Sequence, residues 1–222
     1  MEKILLIVTG PPGSGKTSFS SRLCAHYPNL QMVSYDAVKE EFFDQFGFDS
    51  AEEKLRLNER SLQEFYVRLG RQMEHQRPLL IEYPFCLKHR AALDSLLQKY
   101  EYQAVTILLM GDLRVLYERG IRRDHSFSRH PGHLLNVYHR GSCQRPCDVV
   151  PAMSYEQFAD LCREKDYDIR LGTTIQVDVT DIQHLDYDAV FSRLDPLVCA
   201  LSNQAIARSG QELFAATSRG KM

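Results

Sequence analysis

Directly after the apolar run Ile4–Val8 comes GPPGSGKTS, residues 10–18, in which Gly10, Gly15, Lys16 and Thr17 fill every fixed position of the pattern G-x-x-x-x-G-K-[ST]. The apolar run is short, β-branched and without a polar break. It reads as a strand buried on both faces, the kind found in parallel sheets covered by helices. Glycines let the following backbone turn until several N–H groups point at one anion. A helix expected from Lys16 turns its N-terminus, the positive end of its dipole, to the same place. Lys16 adds a full charge that reaches the β- and γ-phosphates, and Thr17 adds a hydroxyl for Mg²⁺. Because the pattern stands between a strand and a helix, Gly10, Pro11, Pro12, Gly13, Ser14, Gly15, Lys16, Thr17 and Ser18 are expected to hold the phosphates of a nucleoside triphosphate.

Further strands are expected at Gln31–Ser34, Leu79–Ile81, Val105–Met110 and Thr174–Val179. Helical periodicity predicts Lys16–His26, Asp36–Phe46, Ala51–His75, Leu87–Tyr100, Leu113–Arg123, Ser154–Glu164 and Leu185–Leu201. Ser154 with Gln157 three residues later has the spacing of a capping box. Such alternation implies an α/β fold, a parallel sheet wound right-handed with helices on both faces. The 222 residues are enough for one core and too few for two comfortable domains. One domain is therefore expected over residues 1–202, with a tail at 203–222 that has few large apolar residues. Residues 124–153 carry Pro131, Gly132, Gly141, Pro146 and Pro151 with little periodicity, and are expected to form a loop-rich lid insertion.

The formal net charge is −2, so no global basic excess argues for general nucleic-acid binding. No apolar run is long enough to cross a bilayer, so no membrane association is expected. The first apolar run is shorter than a signal-peptide core, and a cytoplasmic location is expected. The six cysteines, Cys24, Cys86, Cys143, Cys147, Cys162 and Cys199, are expected as free thiols. The crowding of His125, His130, His133 and His139 with Cys143 and Cys147 also admits a zinc reading, although the Cys-x-x-x-Cys spacing is looser than in common zinc knuckles.

In open parallel sheets, ligands bind beyond the carboxyl ends of the strands. Asp36 follows the second strand, twenty positions after Lys16. A carboxylate there can accept the proton of an attacking hydroxyl, or it can cap the helix that starts at Ala37. Glu82 follows the third strand, where it can hold Mg²⁺ through water or touch an acceptor, or simply be an exposed acid. After the fourth strand the chain is locally basic. Arg119 and Arg123 are expected at the nucleotide, and Arg129 is expected to spread charge over the moving phosphoryl group. A lid carrying such arginines also excludes competing water.

With these residues in view, the chain resembles the small P-loop kinases: phage polynucleotide kinase, chloramphenicol phosphotransferase, zeta-toxin kinases, shikimate kinase and gluconate kinase. The resemblance is carried by Gly10–Thr17, Asp36, Glu82 and the helix through Leu116-Tyr117-Glu118-Arg119, and covers most of residues 1–180. It implies a three-layer P-loop fold with five parallel strands in the order 2-3-1-4-5. It also implies that Asp36 activates the acceptor hydroxyl, with ATP and Mg²⁺ as cofactors. The N-terminal half is similar to polynucleotide kinases, in which an arginine three residues after that Asp helps to hold the acceptor. Lys39 stands here instead, and lysine keeps the charge but loses the bidentate fork. The resulting expectation is transfer to a hydroxyl of a small molecule (sugar, nucleoside or antibiotic-like) near Tyr35, Lys39 and Glu82. A polynucleotide 5′-hydroxyl is the alternative acceptor. The competing classes are a nucleotide-binding protein without catalysis and a P-loop ATPase or GTPase using Asp112 for Mg²⁺. No Asn-Lys-x-Asp guanine-reading motif occurs.

Overall fold

Strand β1 (Ile4–Thr9) lies at the centre of a five-stranded parallel sheet ordered β2-β3-β1-β4-β5, as the resemblance implies. The computed structural model describes residues 3–126, 129–141 and 153–198. The other strands are β2 (Gln31–Ser34), β3 (Leu79–Glu82), β4 (Gln103–Met110) and β5 (Thr173–Asp178). All six residues of β1 are buried, because β3 and β4 pair with it on both edges and helices cover both faces.

Side chains alternate across the sheet, as the period of two requires. Ile4, Leu6 and Val8 meet Phe19 and Leu23 of α1 (Lys16–His26), Leu116 of α5 (Leu113–Asp124) and Phe158 of α7 (Tyr155–Glu164). Val190 and Leu194 of a last helix, α8 (187–198), join the same cluster. Leu5 and Ile7 face the other way, against Phe65, Leu69 and Met73 of α3 (Ala51–Glu74) and Leu93 of α4 (Leu87–Tyr100). A small third cluster of Phe43, Phe48, Leu57 and Tyr138 joins α2 (Tyr35–Phe46) and α3 to the connection between α5 and α7.

Ser154 and Gln157 make the reciprocal capping box: the Gln157 N–H donates to Ser154 Oγ at 3.3 Å, and the Ser154 N–H to Gln157 Oε1 at 2.8 Å. Helix α2 starts one residue early, because Ser34 Oγ accepts the Ala37 N–H at 3.3 Å. Asp36 is therefore not the N-cap, and its carboxylate is left for other partners. The connection holds a short helix that its composition hides, α6 (Pro131–Leu134). Pro131 occupies its first turn, where a missing N–H costs nothing, and His130 Nδ1 accepts the Gly132 N–H at 3.1 Å. Residues 199–201 of the expected last helix and the tail from 203 lie outside the described residues. Cys24, Cys86 and Cys162 are free thiols. Among the described residues no helix is long and apolar enough to cross a membrane.

Helix α4 begins on a buried histidine. His89, 3% exposed, takes the Cys86 N–H on Nδ1 at 3.1 Å. Burial, with Lys88 nearby, pushes its pKa down to about 4. As pH falls from 6.5 towards 4, the unfolded chain binds a proton that the native state refuses. Stability is therefore full above the ordinary histidine range and falls by at most about 1.4 kcal/mol per pH unit below it. His89→Gln keeps a side chain able to accept the Cys86 N–H and should flatten the curve by this one-proton slope. Urea unfolding of both proteins between pH 7 and 4.5 measures the difference, and parallel curves would contradict it.

Candidate active site

The glycine loop is shaped by contacts that no side chain could survive. Gly10 has φ 141°, and a Cβ there would lie 2.1 Å from the Leu109 carbonyl oxygen of β4. Gly13 has φ 80°, and its Cβ would lie 2.0 Å from the Leu116 carbonyl oxygen of α5. Both positions need backbone that L-residues rarely adopt. Lys16 curls back over the loop and donates to Gly10 O at 3.1 Å, Pro11 O at 2.9 Å and Ser14 Oγ at 3.4 Å. Burial lowers its pKa to about 8 against the opposing pull of Glu82 and Asp36.

A cavity of about 590 Å³ opens at the carboxyl ends of the strands. It brings Pro12, Gly13, Gly15, Lys16, Thr17 and Ser18 together with Asp36, Lys39, Glu82, Arg119, Arg123 and Arg129. Glu82 is 5% exposed, and both its oxygens lie 3.4 Å from Thr17 Oγ1. A hydroxyl and a carboxylate this close form the hard oxygen donor set that Mg²⁺ prefers, with water and phosphate oxygens filling the remaining positions. The two carboxylates differ in character. Burial, then the charge of Asp36, raises the pKa of Glu82. Burial also pushes Asp36 up, but Lys39, His133, Arg129 and Lys16 together outweigh it and hold the carboxyl below its usual range. Lys39 Nζ lies 3.7 Å from Asp36 and Arg129 Nη1 lies 3.6 Å from it.

An AAA domain model matches residues 5–140, more than half of the chain. The chain belongs to the AAA domain family. Within it, the glycine loop and the strand order β2-β3-β1-β4-β5 are those of a P-loop fold. The fold is also similar to that of a candidate kinase from Chloroflexus aurantiacus, at 24% identity and TM-score 0.69, over 88% of this chain and 98% of that one. A gluconokinase from Sinorhizobium meliloti is 16% identical, with TM-score 0.50, over 94% of this chain and 97% of that one. A chain of the Pnkp1/Rnl/Hen1 RNA repair complex is 15% identical, with TM-score 0.50, over 73% of this chain and 45% of that one. No curated protein sequence matches the chain significantly.

In this AAA domain, Gly10, Pro11 and Ser14 do not line the cavity but receive the Lys16 ammonium. Tyr35 is a correction. It is 3% exposed, its ring packs on Phe65 and Tyr83, and its hydroxyl donates to Asn58 O at 2.9 Å. As the first residue of α2 it turns into the core while Asp36 faces the cavity. Arg119 lines the cavity but also donates to Val179 O and Thr180 O at 2.5 and 2.6 Å, in the turn after β5. Arg123 pairs with Asp124 at 2.7 Å. Asp112 is exposed, caps α5 through the Arg114 and Val115 N–H groups and does not line the cavity.

The histidines after α5 do not converge. His125 Nδ1 meets Ile121 O at 2.8 Å, while His130, His133 and His139 meet Asp44, Glu40 and Asp49 at 3.1, 2.9 and 2.8 Å. Among the described residues no three His, Cys, Asp or Glu side chains could hold a metal together. Cys143 and Cys147 lie outside the described residues. Three of the acids, Asp36, Glu40 and Asp44, recur every four residues on one face of α2 and meet Arg129, His133 and His130 in turn. The cavity also takes in Tyr83, Pro84, Ser126 and Ile182. Tyr83 and Pro84 follow a strand end and were open to the strand-end rule, whereas Ile182 arrives from the turn after β5 with no sequence signal.

Gly10→Ala should weaken binding of ATP by more than about tenfold and lower the melting temperature by several degrees, because the loop cannot keep its shape with a Cβ at 2.1 Å. Calorimetric titration and a thermal melt check both, and normal ATP affinity would contradict the geometry.

Proposed function

We propose that the protein is an ATP-dependent phosphotransferase that moves the γ-phosphoryl group of ATP to a hydroxyl of a small molecule. The observation that carries this reading is Asp36, a carboxylate held ionised inside the same cavity as the glycine loop. A protein that merely holds a nucleotide has no need of a charge-supported carboxylate at that place, whereas an attacking hydroxyl must be oriented and relieved of its proton.

Thr17 and Glu82 would hold Mg²⁺, which would supply positive charge against the phosphates. The backbone N–H groups of residues 13–17 and the Lys16 ammonium bind the phosphates. Asp36 orients the acceptor hydroxyl and accepts its proton as the new P–O bond forms and the bond to the β-phosphate oxygen breaks. Arg129, 3.6 Å from Asp36, faces the charge that gathers on the moving group. Arg119, on α5 and tied to the turn after β5, supports the nucleotide. Lys39 lies beside Asp36, with Tyr83 5.5 Å from its ammonium, and borders the acceptor. The connection after α5 acts as a lid that excludes water from the transfer. A cytoplasmic enzyme supplied with ATP fits this reading.

Asp36→Asn should keep the affinity for ATP and lower transfer at least about a hundredfold, the order of a general base. A screen with γ-labelled ATP against hydroxyl-bearing metabolites and 5′-hydroxyl oligonucleotides, with this variant as the blank, reads both terms. Normal turnover in the variant, or label released only as inorganic phosphate with every acceptor, would defeat the proposal.

A further inference from the structure

We propose that Lys54, on α3 and outside the cavity, is a positioning residue whose ammonium holds the 130–138 segment in place and thereby sets Arg129 at Asp36. The inference rests on the phosphotransfer reading above, in which Arg129 meets the moving phosphoryl group.

Lys54 Nζ donates to His133 O at 3.0 Å and to Leu135 O at 2.7 Å. These carbonyls lie at the C-terminal end of α6, which has only four residues. Such an end leaves carbonyl oxygens without partners in the helix. A lysine can satisfy them, and here it comes from a different helix, 79 and 81 residues away in sequence. The ammonium also lies 5.4 Å from the Phe48 ring. Phe48 exchanges two backbone hydrogen bonds of 2.8 Å with Tyr138, so Lys54 stands where the α2–α3 turn clasps the connection.

Position 129 is coupled to this clasp. Arg129 lies two residues before the start of α6, and α6 is fixed from two sides. Gly132 presses on Phe43 so closely that a Cβ would lie 2.5 Å from its ring, and His133 reaches Glu40 at 2.9 Å. A shift at residues 133–135 therefore moves through a rigid turn to Arg129. Burial, then Lys39 and Arg129, lowers the Lys54 pKa to about 8. A long side chain is thus held half-buried near two other cations, where a surface lysine would turn to water. The α2 acids and the histidines join through single side-chain pairs, whereas this contact places one charge on two carbonyls at once.

The test needs no acceptor. ADP·Mg²⁺ with aluminium fluoride mimics the transferring phosphoryl group and should engage Arg129, whereas ADP·Mg²⁺ alone should not. Lys54→Met should weaken the aluminium fluoride complex about tenfold, on the order of one hydrogen bond to a charged group, and leave ADP affinity within about twofold. Lys54→Arg, which can still donate to both carbonyls, should stay near wild type. In an Arg129→Ala background, Lys54→Met should add less than about twofold, because the two residues act as one unit. Amide hydrogen exchange over residues 130–138 should quicken in Lys54→Met and not in Lys54→Arg. If Lys54→Met does not fold, Lys54→Gln, with a neutral donor, takes its place in every arm. Equal loss of ADP and aluminium fluoride binding, or full additivity with Arg129→Ala, would overturn the role of Lys54. A wild-type protein that binds aluminium fluoride with ADP no better than ADP alone would remove the phosphotransfer reading itself, and this inference with it.

Discussion

The site depends on how closely the glycine loop approaches the elements that follow it. Gly10 and Gly13 lie so near the Leu109 and Leu116 carbonyls that a single added carbon would collide with backbone at either position. That approach anchors the loop to β4, the neighbour of the central strand, and to the helix that follows it. It fixes the direction of the N–H groups and the start of α1. It also places Lys16 where it must be largely buried, and that burial gives the cavity its electrical character.

Around this anchor the charges are shared rather than paired one to one. Asp36 is approached by Lys39 and Arg129 at almost equal distances, and neither makes a tight bond to it. A carboxylate held by several diffuse positive charges stays ionised without being locked, which suits a group that must first accept and then release a proton. Glu82, a few ångströms from Thr17 and buried on the neighbouring strand, is shifted in the opposite direction. A bound cation would pull its pKa back down. Two carboxylates in one cavity with opposite tendencies fit the separate roles of base and metal ligand in the proposed transfer.

The connection after α5 contributes through its attachment. It is fastened to α2, which carries both Asp36 and Lys39, and to α3 by the third apolar cluster, the Phe48–Tyr138 bridge and the row of acids on α2. Arg129 is therefore held with α2 and Asp36, while Arg119 is tied to the turn after β5. The two arginines, ten residues apart in sequence, answer to different parts of the fold.

The order of elements, the glycine loop and the strand-end acids were legible in the sequence because each rests on local chemistry. Apolar runs set strands, glycines set the turn, and a parallel sheet gathers its strand ends in one place. The Ser154–Gln157 cap was legible for the same reason, its partners being three residues apart. Tertiary packing decided what depends on direction and distance. Tyr35 and Asp36 are adjacent, yet one is core and the other faces the cavity, because Ser34 starts the helix a residue early. Helix α6 was hidden among prolines and glycines, because contacts with Phe43 and Lys54 hold it rather than its own periodicity. The sequence by itself determined a phosphate-binding α/β chain. Only the folded structure decided which charges meet at Asp36, since those partners come from separate elements and their approach is set by packing that no local pattern encodes.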